Sequence, residues 1–146
     1  MLQTRIRILI IEDNLFIRTA IRRLLTKSQD FEVVGEASNG REALRLLGQT
    51  EADVLLLDVE MPVMNGIELA RILKDRTIPK PKILVLSSYD DQEYVREMFL
   101  NGASGYLLKD EAPERIIDAV RGIANGGNGW VSPQIEAKLN KKRRNK

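Results

Sequence analysis

The sequence predicts an α/β domain, a doubly wound five-stranded parallel sheet with helices on both faces. Three observations carry this. Apolar runs of four to six residues alternate with amphipathic helical patterns along the chain. Turn-forming residues separate them at short intervals. The run at 54–57 is apolar throughout, as expected of a strand buried on both faces. Short right-handed crossovers then place each connecting helix against a single sheet.

Ile6–Ile11, broken only by Arg7, reads as a central strand. Asn14 can cap the next helix, whose inner face is Ile17, Ile21, Leu24 and Leu25. Residues 31–35 give a shorter second strand. Ser38 or Asn39 caps a second helix with Ala43, Leu44 and Leu47 inward. Residues 54–57 form the third strand, and the loop after it is marked by Pro62 and Asn65-Gly66. The third helix spans 67–74. Pro79 and Pro81 bracket the connection to a fourth strand at 83–86. Asp90 or Asp91 caps the fourth helix, with Val95, Met98 and Phe99 inward and Asn101-Gly102 as its stop.

The fifth strand covers 105–108. Pro113 suits the first position of the fifth helix, whose apolar face is Ile116, Ile117, Val120 and Ile123, although Ala112 before it is a poor cap. Asn125-Gly126-Gly127-Asn128-Gly129 ends the pattern. The domain is therefore expected to span residues 1–127, with 128–146 as a linker and basic tail. Within that tail Trp130-Val131 can fold back onto the domain. Ser132-Pro133 looks like a helix start, with Ile135 and Leu139 as a weak apolar stripe.

A chain of 146 residues buries about two-thirds of its unfolded surface, so it needs no covalent staples. It contains no cysteine, which excludes disulfides and thiolate metal sites and is compatible with a reducing cytoplasm. Residues 1–5 lead straight into a strand, and no apolar stretch is long enough to span a membrane, so a cytoplasmic protein without a membrane partner is expected. The absence of histidine is more restrictive. It removes Ser-His-Asp and Cys-His nucleophile pairs and every imidazole metal site. What remains is carboxylate, hydroxyl, lysine and backbone chemistry, which suits Mg²⁺, Mn²⁺ or Ca²⁺. The net charge of +2 hides an asymmetry: residues 138–146 hold six basic residues and no acid, while the other 137 hold 17 basic and 21 acidic residues, a net of −4.

The functional signal lies at the strand ends. Glu12-Asp13 follow the first run, Asp58 the third, Ser87 the fourth and Lys109 the fifth. In an open parallel sheet the C-terminal strand ends face one crevice. Singly, Asp58 is most simply a turn starter, Lys109 an exposed lysine and Ser87 a strand-end hydroxyl, with Ser88 a competing choice. Together they differ in kind. Three carboxylates at adjacent strand ends repel one another unless a cation or a proton relieves them. A hard divalent cation held by few protein ligands, with one of the three acids accepting a phosphoryl group, is the economical solution. A lysine across the crevice can pair with Asp58 and then with a phosphoryl oxygen.

These residues resemble a response-regulator receiver domain, the phosphorylated half of two-component signalling. The resemblance runs from about Ile6 to Asn125. It is carried by Ile11-Glu12-Asp13-Asn14, Leu57-Asp58-Val59-Glu60-Met61-Pro62 with Asn65-Gly66, Val85-Leu86-Ser87-Ser88, and Gly105-Tyr106-Leu107-Leu108-Lys109-Asp110. It implies a flavodoxin-like sheet of order 2-1-3-4-5. It also implies that Asp58 is the phosphoacceptor and that Glu12, Asp13 and the backbone carbonyl of Glu60 join Asp58 in holding Mg²⁺, with Mn²⁺ an alternative. Lys109 would bind the phosphoryl group, Ser87 and Tyr106 would form the switch, and Glu60 and Tyr89 would tune the phosphorylation lifetime.

The implied partner is a sensor histidine kinase or phosphotransfer protein. The implied output is a change in the helix 4–strand 5–helix 5 face, with homodimerisation on phosphorylation. The runs 35–40, 101–110 and 129–133 are similar to the nitrate and nitrogen-fixation type of transcription regulator, although Asp110 stands where many receivers have proline. That type continues into a DNA-binding domain. Residues 138–146 are accordingly expected to be a solvated, disordered end or a linker toward such a domain, rather than to bind DNA themselves.

Two other readings compete. A scaffold that has lost phosphorylation need not keep Glu12, Asp13, Asp58, Ser87 and Lys109 together. An aspartyl-phosphate phosphatase uses a second aspartate two residues after its nucleophile, and here that position is Glu60. The chain is therefore expected to be a phosphoacceptor switch that catalyses its own phosphorylation and dephosphorylation, not a conventional enzyme.

Overall fold

A computed structural model describes residues 4–58, 65–76, 80–88 and 90–137. Its elements are β1 (Ile6–Ile11), α1 (Leu15–Thr26), β2 (Phe31–Ala37), α2 (Gly40–Leu47), β3 (Val54–Asp58), α3 (Gly66–Lys74), β4 (Lys82–Ser87), α4 (Gln92–Leu100), β5 (Ala103–Leu108), α5 (Ala112–Ala124) and β6 (Trp130–Val131). A short helix at 133–137 follows. All strands are parallel and the sheet order is β2-β1-β3-β4-β5-β6. The five-stranded core has the expected order, and β6 adds a sixth strand at the β5 edge. No described helix is long and apolar enough to cross a membrane.

Alternation along the strands sorts their side chains into two cores. Ile8, Ile10, Val54, Leu56, Leu84, Leu86 and Leu107 pack with Ile21 and Leu25 of α1 and Ile116, Val120 and Ile123 of α5. Leu9, Ile11, Leu55, Leu57, Ile83, Val85, Tyr106 and Leu108 pack with Ala43, Leu69, Leu73, Val95 and Met98 on the opposite face. The helices are started by their own side chains. Asn14, Asn39, Asn65 and Asp91 accept hydrogen bonds from Ile17, Glu42, Glu68 and Glu93 N–H, so Asn39 and Asp91 are the caps where two residues competed. α5 lacks a side-chain cap: it begins at Ala112 with Pro113 in its first turn.

Several boundaries differ from the sequence expectation. β2 runs on to Ala37 and β5 starts at Ala103, each through a register shift that the alternation pattern does not reveal. After α5 the chain folds back at Trp130-Val131 as expected, and does so as a sixth strand. Trp130 and Val131 pair with Gly105 and Tyr106, and the Ser132 N–H donates to the Tyr106 carbonyl at 3.2 Å. Ile135 is 1% exposed and joins the core that holds Tyr106 and Met98. Three glycines make room for this segment. A Cβ on Gly122 would approach Trp130 Cζ2 to 2.5 Å, one on Gly105 would approach the Trp130 carbonyl to 2.9 Å, and one on Gly127 would approach Trp130 Nε1 to 3.0 Å. Leu139 and the basic run lie outside the described residues, as does Pro79.

Candidate phosphoacceptor site

The sheet register delivers the site. Ile11 pairs with Leu57, so Glu12 falls one step beyond the β1–β3 ladder at the level of Asp58, the last residue of β3. Asp58 pairs with Leu86, which sets Ser87 one step further along β4. Lys109 leaves β5 with its N–H donating to the Ser87 carbonyl at 2.8 Å. Four polar residues thus reach one crevice because four strands end at nearly one level.

Glu12 and Asp58 are 2% and 5% exposed, while Asp13 is open to solvent. Carboxylate oxygens of all three lie within 4.8 Å of one another. The Lys109 ammonium stands 2.8 Å from Glu12 Oε1 and 3.4 Å from Asp58 Oδ2. The sequence suggested Asp58 as its partner; in the structure Glu12 is the nearer one. Burial pulls the Lys109 pKa down, but its hydrogen bond to Glu12 and the charges of Asp58 and Glu12 outweigh this and leave it above the usual lysine value. The hydrogen bond and charge of Glu12, together with partial burial, raise the Asp13 carboxyl. One ammonium therefore faces three carboxylates.

Ser87 is buried at 1% exposure and shares a side-chain hydrogen bond with Tyr106, itself fully buried, whereas Ser88 is exposed. Of the two neighbouring hydroxyls, Ser87 is thus the one inside the crevice. The Glu60 carbonyl and Tyr89 lie outside the described residues.

The structure also brings in a residue that no sequence signal marked. Arg18, in the first turns of α1, donates from Nη1 to the Glu12 backbone carbonyl at 2.9 Å. Its Nε stands 3.4 Å from Glu36 Oε1. An arginine on a helix flank reads as a solvated charge, and a backbone acceptor leaves no trace in residue type.

The crevice provides hard oxygen donors, unbalanced negative charge and one fixed cation. These fit a divalent cation of the Mg²⁺ or Mn²⁺ class rather than zinc or copper. The fold and this cluster define a parallel α/β domain with an acidic, lysine-guarded site at its strand ends. Residues 8–121 match the response regulator receiver domain, and the chain belongs to that family.

Among curated proteins it is 39% identical over 142 residues to the transcriptional regulatory protein DegU of Brevibacillus brevis, covering 97% of this chain and 59% of that one. It is 39% identical over 119 residues to the nitrate/nitrite response regulator protein NarL of Escherichia coli K12, covering 82% and 55%. The chain thus spans a little over half the length of these relatives. Among solved structures, the signal receiver domain of NarL from Mycobacterium tuberculosis is 34% identical with a TM-score of 0.80, covering 85% of this chain and 99% of that one. A two-component response regulator of the LuxR family from Aurantimonas sp. SI85-9A1 superposes with a TM-score of 0.87 at 29% identity, covering 96% and 99%.

Proposed function

We propose that this receiver accepts a phosphoryl group on Asp58 from a phosphohistidine of a partner kinase or phosphotransfer protein. This sequence contains no histidine, so the donor residue lies outside it. In the transfer, Asp58 Oδ attacks phosphorus in line; the new O–P bond forms as the donor's N–P bond breaks. Catalysis by this chain is then positioning and charge stabilisation. Lys109, already between Glu12 and Asp58, needs only a small shift to meet a transferred phosphoryl oxygen. Glu12, Asp13 and Asp58, with the Glu60 carbonyl, would hold a Mg²⁺ or Mn²⁺ ion. When bound, such an ion neutralises charge on the phosphoryl oxygens.

Ser87 is the switch hydroxyl in this reading. Turning it toward an acyl phosphate breaks its bond to Tyr106, and the Tyr106 ring follows. Because Tyr106 also carries the backbone contact to Ser132, the change spreads over the α4–β5–α5 face and the segment beyond it. Hydrolysis of the acyl phosphate resets the switch, a self-catalysed step. Trp130, Val131 and Ile135 pack against the domain and so can carry the change onward. The domain's output is transcriptional, exerted through a DNA-binding region outside this sequence and through dimerisation of the phosphorylated form, in the cytoplasm.

The observation that carries the proposal is the Lys109 ammonium bridging Glu12 and Asp58 in a buried cluster. The test is intact mass after treatment with acetyl phosphate and Mg²⁺. One added phosphate is expected on wild type and none on Asp58→Asn. Equal labelling of both would end the assignment.

A further inference from the structure

Glu12 is held on several sides by hydrogen bonds and an ion pair. Its N–H donates to the Ala37 carbonyl at 3.0 Å. Its side chain meets Lys109 at Oε1 and accepts from the Asn14 N–H at Oε2, at 3.3 Å. Its carbonyl lies past the end of β1, and Arg18 Nη1 meets it there at 2.9 Å. That carbonyl belongs to the peptide plane joining Glu12 to Asp13. Fixing its direction sets the placement of the Asp13 N–H and Cα, from which the carboxylate springs.

Arg18 is itself anchored. Its side chain is 18% exposed, and its Nε stands 3.4 Å from Glu36 Oε1 in an ion pair. Glu36 also meets Arg22 Nη1 at 3.4 Å. Glu36 lies on β2 opposite Ile10, so the anchor is part of the sheet that ends in the site. Glu36 thus offsets one of the two guanidinium charges that meet it and holds Arg18 against the sheet. A planar fork suits this task because one edge can face the carboxylate while another nitrogen reaches the carbonyl.

We infer that Arg18 is a positioning residue for cation binding: through the Glu12 carbonyl it holds the Glu12–Asp13 peptide so that Asp13 faces Glu12 and Asp58. This rests on the phosphoacceptor reading above. Partners that orient metal-binding carboxylates typically contribute about ten- to a hundredfold in metal affinity.

The test is Mn²⁺ titration of the full chain by electron paramagnetic resonance, with circular dichroism and thermal unfolding of each variant in metal-free buffer. Arg18→Met, which keeps an apolar stem, is expected to remain folded and to bind Mn²⁺ about ten- to a hundredfold more weakly. Arg18→Lys keeps a cation beside Glu36 without the fork and is expected to recover part of the loss. Arg22→Met removes the other cation on Glu36, leaves the carbonyl contact in place, and is expected to bind like wild type. Acetyl phosphate labelling of Arg18→Met should slow at low Mg²⁺ and return to the wild-type rate at saturating Mg²⁺, whereas Asp58→Asn stays unlabelled at any concentration.

Wild-type Mn²⁺ affinity in a folded Arg18→Met or Arg18→Lys protein would overturn the inference. So would an equal loss in Arg22→Met, which would make charge balance on Glu36 the cause. Unfolding of both Arg18 variants would reduce Arg18 to a structural residue. A wild-type protein that binds no Mn²⁺ overturns the site reading itself, and the Arg18 role with it.

Discussion

Lys109 Nζ stands 2.8 Å from Oε1 of Glu12, a carboxylate that is only 2% exposed. The lysine thus does the work of a counter-ion while no other cation is present. Breaking a fully buried pair costs about 3–5 kcal/mol, and the partial exposure of Lys109 reduces this to about 2 kcal/mol. Lys109→Met should therefore lower urea stability at neutral pH by about that amount, and Mg²⁺ should restore part of it. The same substitution removes the positive charge that competes for the acids, so Mg²⁺ affinity should rise while acetyl phosphate labelling falls by about a hundredfold. Weaker Mg²⁺ binding in this variant would show that Lys109 assembles the site rather than guarding it.

Tyr106 gives a second prediction through its ionisation. Burial raises the phenol above its ordinary value of about 10, while the hydrogen bond with Ser87 pulls the other way. The difference between the ultraviolet titrations of wild type and Tyr106→Phe isolates this group from Tyr89 and Tyr94. Its midpoint should lie above 10, and Ser87→Ala should move it higher still. The stability consequence follows in sign. An acid whose pKa is raised by folding ionises first in the unfolded chain, so stability is lost as pH rises above about 10. A midpoint at or below 10 would place the phenol in water and contradict its burial.

The strands and the site were legible because both rest on residue type in order. Runs such as Leu55-Leu56-Leu57 have one sensible environment, and the polar residue after each run marks the crevice. Arg18 was not legible because its acceptor is a backbone carbonyl. The fold-back of Trp130-Val131 is legible in the sequence, but the room made for it and the burial of Ile135 are not, for a different reason. Gly122 reads as a weak point in a helix and Gly105 as a plain strand start. Their purpose shows only once Trp130 lies against them. Ile135 reads as half of a weak stripe because the core it joins is built from distant segments of the chain.

That packing is open to direct test. A methyl group on Gly122 would lie 2.5 Å from Trp130 Cζ2, so Gly122→Ala must displace the indole or the helix. The expected cost is about 1–3 kcal/mol, with a red shift of the fluorescence of Trp130, the single tryptophan in the chain. Gly126, at φ +95° with nothing near its absent Cβ, is the control. Gly126→Ala should cost about 1 kcal/mol through backbone strain and leave the emission unchanged. Ile135→Ala should cost about 2–4 kcal/mol, as for a core isoleucine. An Ile135→Ala protein as stable as wild type would mean that the segment lies loosely on the β5 edge.

A final prediction concerns the end of the sheet opposite the site. Arg121 of α5 grips Asp30, between α1 and β2, through Nε at 3.0 Å and Nη2 at 3.1 Å, and Nη2 also reaches Ser28 Oγ at 2.9 Å. Ser28 adds a further hydrogen bond to Asp30, and the guanidinium carbon lies 5.5 Å from the centre of the Phe31 ring. The Arg121 hydrogen bonds, then that of Ser28, hold the Asp30 carboxyl well below the usual carboxylate range. A carboxyl depressed by folding contributes stability above its unfolded pKa of about 3.9, and that contribution is lost as pH falls through the folded value. The melting temperature of wild type should therefore exceed that of Asp30→Asn by a constant margin at pH 5–7 and by a shrinking one below about pH 4. High salt should narrow the margin at neutral pH, since both side chains are about two-fifths exposed. Arg121→Lys, which keeps the charge and loses the two-point grip, should fall between them. A margin that persists undiminished at pH 3 would assign the effect of Asp30→Asn to packing rather than to the ion pair.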